Sequence, residues 1–200
     1  MLITKTNPSG VDYSIQLFQT ELHDALMSAW GLNPADTAEN KLYECYGRCY
    51  KNRKDNGYVA EVYTGSDQYK EVYWNNALYA ISFFGMSDKV DMANNNKTEL
   101  HLVFFVDLKK LALLDRSGNA IAHRSDEEIH NQVQGIIRKS LYGVILNSIE
   151  TGMVNVLRDY PGSYRDERLK HVDMHPVHCF RLNMSLEFDI NNYCKPCKNF

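Results

Sequence analysis

The sequence has 200 residues, 44% apolar and 24% charged, which is enough apolar material for the core of one domain with room for a projecting arm. A net charge of −3 and a pI near 6.2 argue against a surface built to neutralise phosphates, so sequence-independent nucleic-acid binding is not the first expectation. The opening stretch MLITKTNPSGVDYSIQ lacks a basic segment followed by an apolar one, and no apolar run is long enough for a bilayer span, so a chain made in the cytosol without a membrane anchor is expected.

The first predicted element is an amphipathic helix. Pro8 suits its first turn, Val11, Ile15, Phe18, Leu22, Ala25, Leu26 and Ala29 recur at spacings of three and four, and Gly31 ends it. A polar connector, LNPADTAEN, follows. The next stretch, from LYECYGRCYK through YVAEVYTG and YKEVYW to LYAISFFG, is rich in Tyr, Val, Phe and Trp and broken by DNG and GSD, which predicts an antiparallel meander of hairpins. GMSDKVDMANNNKTE reads as a long polar loop. LHLVFFVDL then predicts a central strand, with Leu100, Leu102, Phe104, Val106 and Leu108 on one face and Val103 and Phe105 on the other.

Ser125 followed by Glu128 has the spacing of a capping box, and Ile129, Val133, Ile136, Ile137 and Leu141 give the apolar stripe of a helix behind it. The apolar stretch VILNSIETGMVNVL reads as further helix, broken near Gly152. Finally, Phe180, Leu182, Met184, Leu186, Phe188 and Ile190 alternate with Arg181, Asn183, Ser185, Glu187 and Asp189, which predicts a strand with one buried face. His178 falls in phase with the buried face and Cys179 with the wet one.

The five cysteines form no regular framework, and reduced thiols are expected. Cys45 and Cys49, with Cys194 and Cys197, have zinc-like spacings. Residues four apart in a strand are about 13 Å apart, however, so the first pair would need a turn at Gly47. His171, His175 and His178 look metal-like but run into a strand, and a charged loop is preferred there. Asp107 and Lys109 project from one face at a strand end, as in half of a metal-dependent nuclease site, with Asp88 and Asp91 as loop-borne candidates for the missing acid. Solvated strand-end charges are the preferred reading. Adjacent His23 and Asp24 diverge by about 100° around the helix and are not read as a catalytic pair. Arg48, Lys51, Arg53 and Lys54 form a basic hairpin tip that discourages edge pairing.

The order helix, hairpins, long strand, capped helix, final strand resembles that of the small ring-forming proteins at the head-to-tail junction of tailed bacteriophages, tail terminators among them. LHLVFFVDLKKL, RSDEEIHNQVQGII, NSIETG and HPVHCFRLNMSLEF are similar to neck or ring proteins of phages of gut Bacteroidetes, including the crAss-like group. The resemblance spans roughly residues 10–190. It implies no catalytic residues and no cofactor. It implies a homo-oligomeric ring, six- or twelve-fold, in a virion neck or tail, with portal, neck or tail proteins as neighbours and genomic DNA passing through without sequence-specific binding. The expected architecture is a single α+β domain over 1–200: an antiparallel β-sheet with helices on one face, a protruding β-hairpin arm at about 41–76 and a short tail at 191–200. Tyr46, Tyr50, Tyr58, Tyr63, Tyr69, Tyr73 and Trp74 are its expected interface residues, being aromatic enough to require cover and too mixed in polarity for a second core. The alternatives are the nuclease centred on Asp107 and Lys109, and a zinc-stabilised binding module.

Overall fold

The computed structural model describes residues 1–91, 96–114, 117, 119–163 and 174–188. Its elements in chain order are β1 (Leu2–Ile3), α1 (Val11–Ala29), α2 (Thr37–Asn40), β2 (Tyr43–Lys54), β3 (Gly57–Gly65), β4 (Gln68–Glu71), β5 (Ala80–Asp91), β6 (Lys97–Asp107), β7 (Leu113–Leu114), β8 (Ala120–Ala122), α3 (Asp126–Lys139), β9 (Val144–Thr151), α4 (Met153–Val156) and β10 (Val177–Glu187). The fold is α+β, as expected. Its main sheet has eight strands, mixed but mostly antiparallel, in the order β4-β3-β2-β5-β6-β10-β9, with β1 added in parallel to β2. A separate two-stranded ladder joins β7 to β8.

The sheet is built outward from β6, which lies between antiparallel β5 and β10. Its near-continuous apolar run requires cover on both faces. On one face Leu100, Leu102, Phe104 and Val106 join Phe84, Phe180, Leu182 and Met184 beneath the apolar stripes of α1 and α3, and Phe104 stacks on Phe180 with ring centres 4.9 Å apart. On the other, Val103 and Phe105 meet Ile81, Phe83, Val62, Val72, and Val156, Leu157 and Tyr160 from α4 and the turn after it. Helices therefore flank both faces, which corrects the one-faced arrangement expected from sequence.

Local chemistry sets the helix ends. The Ser125 hydroxyl accepts the Glu128 N–H at 3.1 Å, as the capping spacing predicts, but the Glu128 carboxylate turns to Arg124. The helix stops at Lys139, so Leu141 leaves the predicted stripe and stands 94% exposed. At the other helix, Gly10 with φ 59° turns the chain into Val11, leaving Pro8 outside, and Gly31 follows its end at φ 72°.

Elsewhere tertiary pairing overrides the local pattern. The meander stops at β4, because residues 72–79 carry the chain back to the start of β2, where the Tyr79 N–H donates to Leu42 O at 2.7 Å, and β5 then pairs with β2 in parallel. The expected helix over 144–151 is strand β9: its β-branched Val144, Ile145, Ile149 and Thr151 suit a sheet, and β10 supplies the partner. Asp88 and Asp91 are not in a loop, since β5 runs through them and Asp91 stands opposite Lys97. Cys179 is buried rather than wet, because α4 and the turn after it cover that face of β10.

Candidate functional site

Two features stand out: the aromatic surface of the β3–β4 hairpin, and a polar cluster buried between that hairpin's layer and β6.

The hairpin does contribute to a second core, contrary to the expectation from its mixed polarity. Ala60, Val62 and Val72 are buried there together with Tyr46 and Cys49. A register irregularity between Cys45 and Arg48 lets Cys45 face α1 while Tyr46 and Cys49 face the hairpin layer. Tyr46 is thus 1% exposed, with its hydroxyl donating to Glu44 at 2.6 Å, and presents no ring to a partner. Cys45 and Cys49 lie in different cores and cannot share an ion; Cys194 and Cys197 lie outside the described residues.

The other aromatic residues lie nearer the surface. Tyr58, Tyr69 and Tyr73 are 46%, 46% and 37% exposed, and Tyr50, Tyr63 and Trp74 are half-buried. Tyr69 packs edge-on against both Tyr50 and Tyr63, with centres 5.6 Å apart in each pair. The Tyr50 hydroxyl accepts from Lys5 Nζ at 2.7 Å and donates to Asp12 Oδ2 at 3.0 Å, and Arg48 lies 4.6 Å from its ring centre. Burial lowers the Lys5 pKa, but hydrogen bonds to Asp12 and Tyr50 outweigh it and hold the ammonium above its ordinary value. The Tyr73 hydroxyl donates to Glu71, which also pairs with Lys54. These contacts fix the rings as a rigid surface.

In the buried cluster the Tyr160 hydroxyl lies 2.9 Å from both Cys49 Sγ and His101 Nε2. Beside it Asp159 accepts from Arg181 Nη1 at 2.6 Å. Gly85 makes the crossing possible, since a Cβ there would fall 1.9 Å from His101 Nε2 and 2.3 Å from the Tyr160 hydroxyl. Burial pushes the Cys49 thiol up to about 12. Burial, then the Arg181 charge, brings His101 down to about 3. The trio is therefore uncharged at neutral pH, and Cys49 has no thiolate for nucleophilic chemistry. A cleft of about 210 Å³ opens beside it, walled by Lys51, Asp88, Glu99, Arg158 and Arg181. Its signals in the sequence were a histidine inside an apolar strand and a glycine inside another.

The remaining sequence candidates are placed as follows. Asp107 Oδ1 accepts the N–H groups of Lys109 and Lys110 at 3.0 and 3.1 Å, so its carboxylate caps the turn after β6, while the Lys109 side chain is exposed. Asp88 pairs with Lys51 at 2.9 Å. Adjacent His23 and Asp24 do meet, with Nδ1 2.8 Å from Oδ1, which corrects their expected divergence. His178 faces His130 rather than His175, and His171 lies outside the described residues. Among the described residues no three His, Cys, Asp or Glu side chains gather as a metal site, and no helix is long and apolar enough to cross a membrane.

No protein-family model matches this sequence, and no curated protein is significantly similar to it.

Proposed function

We propose that this protein is a structural subunit that associates head-to-tail with copies of itself, forming a ring in the neck or tail of a tailed phage. The observation that carries the proposal is the placement of exposed apolar side chains at both ends of one sheet. Tyr58, Tyr69 and Tyr73 lie at the β3–β4 end, and Leu141, Tyr142 and Ile145 lie at or just before β9, at the other end of the strand order. Different patches at opposite ends suit a heterologous contact, which closes into a ring when the rotation per subunit allows it. The rings of the β3–β4 surface are held by neighbouring charges and by each other, so little side-chain freedom is lost when a partner covers them.

In this reading the work is done by shape and association, without a catalytic group. The turn-capping role of Asp107 removes support from the nuclease alternative, because the carboxylate oxygen a metal would need is held by two backbone N–H groups. Mass photometry and sedimentation velocity test the proposal. The chain is expected to form closed oligomers, alone or with a portal or neck protein, and the triple substitution Tyr58→Ser, Tyr69→Ser, Tyr73→Ser is expected to leave a folded monomer. A wild-type chain that stays monomeric with all such neighbours overturns it.

A further inference from the structure

At the far corner of the first core, His130 of α3 and His178 of β10 point their Nε2 atoms at one another across 3.0 Å. The Phe180 ring orients both imidazoles: His178 stacks on it with centres 5.6 Å apart, and His130 meets it edge-on at 4.6 Å. Two imidazole nitrogens bound to one tetrahedral zinc at about 2.0–2.1 Å each sit roughly 3.3 Å apart, so a small outward shift admits an ion. Asp126 and Glu127, four and three residues before His130, share its side of the helix and add negative charge beside the pair.

We propose that His130 and His178 form a two-histidine site for a divalent transition-metal ion of the zinc class, linking α3 to β10. Borderline-soft imidazole nitrogen selects zinc, nickel or copper over magnesium or calcium. With two nitrogen ligands from the described residues, the remaining coordination positions are left to water or an incoming group. Both side chains are half-buried, so an ion can reach them. This site is independent of the ring proposal and of the cysteine-based zinc module, since neither His130 nor any cysteine-free pair entered that scheme.

The test is titration of the full chain, stripped of metal, with Zn²⁺ against a chromophoric chelator. One zinc per chain is expected, bound at least about tenfold more weakly by His130→Ala and by His178→Ala, and unchanged in the double substitution Cys194→Ser, Cys197→Ser. Cobalt in place of zinc is expected to show visible bands without thiolate charge transfer. Absence of stoichiometric binding, binding indifferent to both histidine substitutions, or a thiolate band overturns the proposal. Should either alanine variant fail to fold, zinc-induced shifts of the imidazole NMR signals in the unaltered chain decide: changes at His130 and His178 support it, and changes confined to other histidines overturn it.

Discussion

His101 lies on β6 opposite Gly85, with its imidazole sealed under Tyr160. Protonating it would place a cation beside Arg181 in a dry site, and burial together with that charge lowers its pKa from 6.5 to about 3. The sign of the linkage follows directly. As pH falls through about 6.5 the unfolded chain takes up a proton that the folded chain refuses. The stability is full above that pH and drains away towards pH 3. Melting temperature is therefore expected to drop steadily between pH 7 and pH 4, and His101→Gln is expected to flatten that slope. His23 and His130, also held low chiefly by burial, leave a residual slope of the same sign. An unaltered slope in the variant would assign the acid sensitivity elsewhere. Sequence alone showed His101 as an odd polar residue in an apolar strand. It could not show that Tyr160, fifty-nine residues away, supplies the partner.

At the scale of elements, legibility followed how much of the signal was local. α3 was readable because Ser125 caps Glu128 three residues on and the apolar stripe repeats within the same segment. β6 and β10 were readable because strict alternation or a dense apolar run needs no knowledge of the neighbours. β9 was misread as helix because its identity as a strand depends on β10, more than thirty residues later. The second core was missed for a related reason: α4 and the turn to Ser163 cover a face that looks polar in sequence, burying Cys179 and Arg181. The outer side of β9 pairs with no strand of the main sheet in the described residues, and Ile145 on it is 53% exposed. A lysine there protects a sheet edge from further pairing. Ile145→Lys is expected to change monomer stability by no more than about 0.5 kcal/mol while reducing assembly in sedimentation velocity. Unchanged assembly would remove β9 from the contact.

Across the whole molecule the cations are largely committed. Lys5 and Arg48 share Asp12, Lys51 pairs with Asp88, Lys54 with Glu71, Arg124 with Glu128, Arg158 with Glu150 and Arg181 with Asp159. With a net charge of −3, these pairings leave little unopposed positive charge for a phosphate backbone. Affinity for duplex DNA comes mainly from such charge, through counterion release. A ring that surrounds a moving genome benefits from this property, because each unopposed lysine facing the channel would hold phosphates and slow their passage. Fluorescence anisotropy with a labelled duplex is expected to show no saturable binding at physiological salt, for the monomer and for the assembled form. Tight binding that weakens steeply with added salt would instead identify a basic surface created on assembly, and would replace passive passage with DNA gripping as the work of the ring.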